Sequence, residues 1–279
     1  MLAQTIAPEH LDVHVADTDL RLHAPQSVLA VIDQMFACIP RTWTGSQPAL
    51  ALDVAFDGVW RIAGSSPQAG KVLGAASSLP QVAGAAVAAL LAEVAAQRLV
   101  SVWRAAIVAF EGNALALVGD DWETTITLAA HLHARGWRIV SGDYAVVDLP
   151  TMTALPFQKL LHVSSSSVAS FPLAYRGAIE ASPWYSSPHA IAFYAIDPSL
   201  VNGHLAWAPR STIRGILNVD GRLGKNPSLE AVDDFCLSEC LRLSDLPVDV
   251  AHAMLIPGPF VETADFLERW FHALTHAGA

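Results

Sequence analysis

Apolar and polar residues alternate along much of the first hundred positions, and this pattern predicts a small, β-rich N-terminal α+β unit over residues 1–100. Asp57-Gly58 separates two alternating runs and is typical of a hairpin turn. Elsewhere the apolar spacing changes to three and four residues, which indicates an amphipathic helix that starts at Pro25. The pattern predicts strands at 11–15, 20–22, 50–56 and 59–62, and helices at 25–39 and 80–100.

From residue 101 onward, apolar runs without polar alternation predict an α/β core with a mixed sheet over residues 101–279. The run Ala114–Val118 is entirely apolar, as in a strand buried on both faces, and the polar loop Gly119–Glu123 follows it. In α/β sheets, ligands bind in the loops at the carboxyl ends of such strands. The pattern further predicts strands at 104–110, 137–141 and 144–148, and helices at 124–135, 229–243 and 261–274.

The composition narrows the function classes. Of 279 residues, 53% are apolar and 15% charged, which excludes a disordered chain, and the net charge of −10 argues against nonspecific binding of nucleic acid or an anionic membrane. The three cysteines provide neither a disulfide framework nor zinc spacing, so no metal site is assigned. Glu93, Gln97 and Arg98 interrupt the Ala-rich run at 82–100, which therefore does not predict a membrane span. Because residues 1–10 lack the features of a signal peptide, we expect a cytoplasmic protein.

The segment Arg104–Phe157 carries a more specific signal in the order and spacing of its parts. It reads strand, turn, strand, loop, helix, the letters RGW with a further strand, an acidic position, another strand and a proline-containing LPF. This order resembles the HPr kinase/phosphorylase family, especially its short bacterial relatives. The resemblance implies an HPr-kinase-like P-loop core, assembly as a homo-oligomer, and action on small proteins or ribosomally made peptides.

The residues that would bind a nucleotide match the family poorly. A P-loop, G-x-x-x-x-G-K-S/T, surrounds phosphates with backbone amides, neutralises them with its lysine and binds magnesium through its hydroxyl. In the same register, Gly119 keeps the first glycine. Thr124, Thr125 and Ile126 replace the second glycine, the lysine and the magnesium-binding hydroxyl, and Thr127 still offers a hydroxyl one position further on.

The loop also carries the wrong charge for a polyphosphate. In the register of the resemblance, Asp120, Asp121 and Glu123 lie where the phosphates of ATP would bind. At a screened dielectric, one like-charge contact near ~4 Å costs on the order of several kcal/mol, whereas a helix N-terminus offsets only about 1 kcal/mol. We therefore expect a degenerate P-loop that keeps the fold and has lost its cofactors, ATP and magnesium. Asp120-x-x-Glu123 also fits a capping box at the helix start, and this interpretation competes with a cation or cationic-peptide site.

Two further residues match positions of the family's catalytic groups. Asp143 follows Gly142 and retains one carboxylate of the family's acidic pair, and Arg104 occupies the position of its histidine. Asp143 is equally well interpreted as a turn residue. Because an arginine at a strand start commonly pairs with an acid, we expect Arg104 to lie beside Asp143 or Asp121 and to line the cleft with Gly119. Arg104→Ala is then expected to weaken both stability and binding, and Asp143→Asn mainly binding or catalysis.

Three functions remain open on these residues. The first is a pseudokinase-type protein that binds, or helps to modify, a small protein or peptide. The second is an active Ser/Thr kinase with ATP and magnesium, in which another cation replaces the P-loop lysine. The third is a different enzyme that uses the carboxylates of this cleft as acid and base or with a metal. The candidate cations for the kinase, by residue type alone, are Lys159, Arg210, Arg214 and Lys225.

Other polar or reactive positions have simpler interpretations. The strand face shared by His10, Asp12 and His14 is better explained as a solvated surface than as a metal site. Ser164–Ser167 has no base placed in the sequence to activate a nucleophile. Pro183–Tyr185 is interpreted either as a docking surface or as a set of core anchors.

Overall fold

The protein has a mixed α/β fold in two compact units. A computed structural model assigns residues 1–99 and 187–190 to the first unit and residues 100–186 and 191–279 to the second. The structure describes residues 10–15, 18–36, 50–64, 70–75, 77–97, 100–182, 184–186, 192–202, 206–231 and 250–276.

The first unit is built on a five-stranded mixed sheet in the order β1-β2-β3-β4-β5. β1 and β2 form a hairpin, and β2 is parallel to β3. The predicted turn between β3 and β4 is present, with Gly58 at a φ of 95° that favours glycine. The elements are β1 His10–Val15, β2 Thr18–His23, α1 Gln26–Met35, β3 Leu50–Phe56, β4 Trp60–Ala63, β5 Lys71–Gly74 and α2 Leu79–Gln97.

Helix α2 is the one described helix that is long and apolar enough to cross a membrane by length and composition, over Leu79–Ala96. Half of that window is buried inside the protein. The buried residues include Val82, Leu90 and Val94. A helix packed in the core of a fold passes the same test of length and composition.

The second unit contains a nine-stranded mixed sheet and a three-stranded sheet in the order β12-β14-β13. Its elements are β6 Val100–Trp103, β7 Ala105–Phe110, β8 Asn113–Val118, α3 Trp122–His133, β9 Arg138–Ser141, β10 Ala145–Asp148, β11 Thr153–Leu155, β12 Leu161–Ser164, α4 Arg176–Ala181, β13 Trp184–Ser186, β14 Ala192–Ile196, α5 Ser199–Asn202, β15 Ser211–Val219, β16 Ser228–Glu230, β17 Ala251–Ile256 and α6 Phe260–His276. Two short 3-10 helices, Val168–Ser170 and Leu173–Tyr175, lie between β12 and α4.

The large sheet has the order β6-β10-β11-β15-β8-β7-β9, and β17 pairs with β15 and β16. β15 is parallel to both β8 and β17, whereas β7 is antiparallel to β8 and β9. The sheet is buried on both faces, because residues of β7 and β8 contribute alternately to two apolar clusters. Leu115 and Leu117 belong to the cluster that includes α3 and α6, and Ala114 and Ala116 belong to the other. This double burial explains why the sequence of β8 shows no alternation.

Several predicted elements end elsewhere in the structure. The strand predicted at 104–110 begins at Ala105, because Arg104 lies between β7 and the separate strand β6. Helix α3 begins at Trp122 rather than at Thr124. The helix predicted at 229–243 is wrong at its start, where Leu229 lies in β16, and residues 232–249 are outside the described part of the chain. The strand pairing of β16 with β17 overrides the local helical spacing there.

Two leucines test where the stability of this fold comes from. Leu117 is fully buried between β8 and the helices, whereas the side chain of Leu173 is 74% exposed. We expect Leu117→Ala to lower the free energy of unfolding by about 2–5 kcal/mol, since it leaves a cavity, and Leu173→Ala to change it by less than ~0.5 kcal/mol. Urea denaturation of the two variants makes the comparison, and equal losses would contradict the assigned core.

Candidate functional site

Four loops meet at one edge of the large sheet. Val118 of β8 pairs with Asn218 of β15, and Val219 pairs with Leu255 of the parallel strand β17. β9 runs in the same direction as β8, because both are antiparallel to β7. The carboxyl ends of these four strands therefore lie along the edge where α/β proteins bind ligands. The loops that follow the strands are 119–121, 142–144, 220–222 and 257–259.

Gly119 allows the first of these loops to cross the end of β15. A Cβ atom built at Gly119 would lie 2.7 Å from the carbonyl oxygen of Val219, a distance that no side chain tolerates. A Cβ atom built at Gly221 would lie 3.5 Å from the Cβ atom of Asp121, so the loops after β8 and β15 touch. The predicted loop residue Gly119 thus has a clear packing role at the centre of the edge.

The N-terminus of α3 is capped by Asp121, and not by Asp120 as the capping-box pattern predicts. The Asp121 carboxylate accepts a hydrogen bond from the backbone N–H of Thr124 at 3.2 Å, and the Thr124 hydroxyl donates to its other oxygen at 2.7 Å. Asp120 is exposed one residue earlier. The helix begins one residue later than the pattern implies, and this places Asp121 at the capping position.

The hydroxyls of Thr124 and Thr125, which the sequence predicts to bind a ligand, instead form hydrogen bonds at the start of α3. The Thr124 hydroxyl is bonded to Asp121, and the Thr125 hydroxyl donates to the carbonyl oxygen of Trp122 at 2.8 Å. Thr124, Thr125 and Thr127 are all buried. These three residues therefore anchor the first turns of α3 against the core.

Glu123 does not close a capping box either. Its carboxylate accepts a hydrogen bond from the hydroxyl of Ser167, in the turn after β12. Within the same turn, the hydroxyls of Ser164 and Ser166 lie 2.7 Å apart. The structure thus places a carboxylate beside the serine run, which the sequence pattern does not reveal.

Asp143 forms a buried ion pair with Lys159. The Lys159 side chain is 4% exposed and that of Asp143 is 16% exposed, so both charges are largely removed from water. Burial by itself would raise the pKa of the Asp143 carboxyl, but the nearby Lys159 ammonium outweighs this and holds the pKa below its usual value. The Asp143 carboxyl therefore remains ionised, and its charge faces the Lys159 side chain.

The segments that carry this pair approach closely at Gly142 and Leu161. A Cβ atom built at Gly142 would lie 2.5 Å from Cδ2 of Leu161, so a larger residue at position 142 would require the Leu161 side chain to move. His162, next to Leu161, has a buried Nε2 atom without a hydrogen-bond partner among the described residues. Burial, assisted by the charge of Lys159, lowers the pKa of His162 to about 3, so the ring is neutral at pH 7.

Arg104 does not form the predicted pair with Asp143 or Asp121. It is exposed, and within the described ranges no ion pair of its guanidinium is present. Ala145 pairs with Trp103, which places Arg104 near Tyr144 just beyond the ends of β6 and β10. Burial and the charge of Asp143 raise the pKa of Tyr144, and Arg104 partly opposes them. Arg104 thus lies next to the carboxyl-end edge of the sheet, and Asp143 pairs with Lys159 instead.

The other candidate cations are not assembled around Gly119. Arg210 directly precedes β15, and Arg214 donates to the Asn113 side chain at the start of β8, at 3.1 Å. Both therefore lie toward the opposite edge of the sheet. Lys225 is exposed in the segment after β15.

The sequence pattern did not indicate His162, and it gave Lys159 only as a candidate cation for a kinase, without its pairing with Asp143. Both interrupt the apolar stretch Leu155–Val163, and a charged residue in such a run is a recognisable signal for a buried partner. No group of three or more His, Cys, Asp or Glu residues that could hold a metal ion occurs in the described part of the chain. Of the predicted Pro183–Tyr185 surface, Pro183 and the aromatic side chains lie outside what the structure describes.

The Asp121 cap makes a direct prediction about stability. Asp121→Ala leaves the Thr124 amide and hydroxyl without their acceptor, so we expect it to lower the free energy of unfolding by about 0.5–2 kcal/mol. Asp120→Ala is the matched control and should have almost no effect, since Asp120 is exposed. Denaturant unfolding of both variants checks this, and a larger loss for Asp120→Ala would restore the capping-box interpretation.

The Asp143–Lys159 pair changes the expected effect of Asp143→Asn. This substitution leaves a buried ammonium without its counter-charge, so we expect a loss of about 3–5 kcal/mol in the free energy of unfolding. The double variant Asp143→Asn with Lys159→Met removes both charges and should be more stable than Asp143→Asn alone. Arg104→Ala should be nearly neutral. Thermal unfolding of the three proteins decides the matter, and a stable Asp143→Asn variant would show that the pair is not buried in solution.

Comparison with known proteins gives a limited result. No family model matches the chain, and no curated protein matches it. Among solved structures, the chain is similar to the HPr(Ser) kinase/phosphatase from Coxiella burnetii, with 15% identity and a TM-score of 0.33 over 63% of this chain and 93% of that chain. Because this identity and this TM-score are low, the function is inferred from the residues of the chain and not from this similarity.

Proposed function

We propose that the chain is a pseudokinase-type protein that binds, or helps to modify, a small protein or ribosomally made peptide in the bacterial cytoplasm. Its core resembles that of the HPr kinase/phosphorylase family in the order of the elements from Arg104 to Phe157, and its P-loop is degenerate. The single observation that carries the proposal is the Asp121 carboxylate bonded across the first turn of α3.

A phosphate site at a helix N-terminus needs backbone N–H groups that point at the ligand. Here the Thr124 N–H and the Thr124 hydroxyl both point at Asp121. The chain's own carboxylate thus takes the donors that a phosphate would use. An incoming phosphate would have to displace a covalently tethered anion.

Charge adds a second obstacle to ATP. At an effective dielectric near ~20, two like charges about 4 Å apart repel by about 4 kcal/mol, whereas a helix N-terminus attracts an anion by only about 0.3–1 kcal/mol. The loop carries Asp120, Asp121 and Glu123, and Lys159 is already paired with Asp143. The active-kinase alternative requires cations around Gly119, and the described candidates are paired, distant or exposed.

The same features favour a cationic partner. Asp120 is exposed, and neither it nor Asp121 or Glu123 forms an ion pair within the described ranges. Asp220, which follows β15 at the same edge, is neutralised by its bond to Arg222. The net charge of the loop is therefore negative, and it suits a lysine- or arginine-rich segment of a peptide. The resemblance also favours a homo-oligomer.

One titration experiment tests both the loss of ATP binding and the binding of a cationic peptide. ATP with magnesium and a synthetic lysine- and arginine-rich peptide are titrated separately into the wild-type protein and into the variant Asp120→Asn, Asp121→Asn, Glu123→Gln. Asparagine retains the capping oxygen at position 121, so the helix start is preserved. We expect ATP binding to be undetectable in the wild type and stronger in the variant, and the peptide Kd to rise at least fivefold in the variant.

The two ligands can fail independently. Wild-type binding of ATP with a Kd of ~10 μM, which corresponds to about 7 kcal/mol, would contradict the loss of the nucleotide site. A peptide Kd that is the same in both proteins would show that the acidic loop is not the binding surface. Peptide binding that does not weaken as salt is raised would contradict the electrostatic argument.

A further inference from the structure

The last two turns of α6 carry a pair of histidines at the spacing of a metal chelate. His272 and His276 are four residues apart, and their ring centroids lie 6.2 Å apart with nearly parallel planes. Residues at this spacing are neighbours on one face of a helix. We propose that His272 and His276 form a binding site for a first-row transition-metal dication, with water completing the coordination. The proposed pseudokinase role does not require this site.

The ring nitrogens of this pair are available. No hydrogen bond or ion pair of either ring is present within the part of the chain that the structure describes. His272 makes an edge-on contact with Phe110, with centroids 5.1 Å apart, which restricts its ring. His276 is exposed at the last residue of the helix. One ring is thus held in place, while the other can adjust.

Chelation requires the two rings to come closer and to turn. A tetrahedral ion with bonds of about 2.0–2.1 Å to imidazole nitrogen holds two ring centroids roughly 5 Å apart. The observed centroids lie 6.2 Å apart with nearly parallel planes, so rotation of the exposed His276 side chain has to shorten this distance and turn its nitrogen toward the same point as that of His272. The carboxyl end of a helix also carries partial negative charge, and this favours a cation there.

The chemistry of the donors selects the metal. Two imidazole nitrogens suit copper, nickel and zinc rather than magnesium or calcium, which prefer oxygen ligands. Because Cu²⁺ binds most tightly in this series, it is the most sensitive probe. Binding should weaken as the pH is lowered, since protons compete for the same nitrogens.

A second histidine pair provides an internal comparison. His10 and His23 face each other on β1 and β2 with centroids 5.9 Å apart. There, Oδ2 of Asp12 lies 3.7 Å from Nε2 of His10, and Arg21 is bonded to the same carboxylate. Added metal can also bind this second pair, so the experiment needs a readout that reports on α6 alone.

The test is a titration of the untagged full chain with CuCl₂, followed by paramagnetic broadening of backbone amide signals and by calorimetry. We expect the signals of the last two turns of α6 to broaden first. His276→Gln should raise the Kd of this site at least tenfold, and His252→Gln should leave it within twofold. The double variant His276→Gln with Ala273→His keeps the number of histidines but places the pair at adjacent positions, so it should behave like His276→Gln.

Three results would overturn the proposal. The first is the absence of broadening in α6 at concentrations that broaden other histidines. The second is an unchanged Kd of this site in His276→Gln. The third is restored binding when the second histidine is moved to position 273, because it would show that imidazole number, rather than helical spacing, determines affinity.

Discussion

The buried ion pair of Lys159 and Asp143 is the interaction on which the packing at the carboxyl ends of the strands in the second unit depends. A lysine that is only 4% exposed must have a counter-charge, because an unpaired ammonium in this environment is strongly destabilising. Asp143 supplies it, and the Gly142–Leu161 contact brings the two segments close enough to do so. The Asp143 carboxylate, which the resemblance predicts as a catalytic group, instead forms an ion pair between the loop after β9 and the segment before β12.

The loop after β8 follows the same principle at the neighbouring strand. Asp121 satisfies the first turn of α3, and the Thr124 and Thr125 hydroxyls bond locally. The polar groups at the start of α3 are thus bonded by side chains and carbonyl groups of the same segment. The proposed binding of a cationic partner relies on the exposed charge of Asp120 in this loop.

The sequence predicts the elements of this edge better than it predicts their contacts. β7, β8 and α3 are recognisable because a strand buried on both faces and a helix with a polar start have distinct local patterns. The partner of Asp143 was not predictable in this way. Lys159 is 16 positions away, and its approach depends on the fold of the intervening chain. The sequence predicts Arg104 as a partner of Asp143 or Asp121, yet in the structure Arg104 is exposed. β16 shows the same limit, since strand pairing with β17 overrides its helical spacing.

The central claim is that Lys159 is committed to Asp143 and is not available to phosphate. NMR spectroscopy of the ¹⁵N-labelled lysine ammonium groups, assigned with Lys159→Met, measures this directly. The account predicts a protected Lys159 signal that is lost in Asp143→Asn and that does not move when ATP and magnesium are added to the wild-type protein. A Lys159 signal that shifts on addition of ATP and gains a coupling to phosphorus would show that the pair opens to a nucleotide, and it would contradict the account.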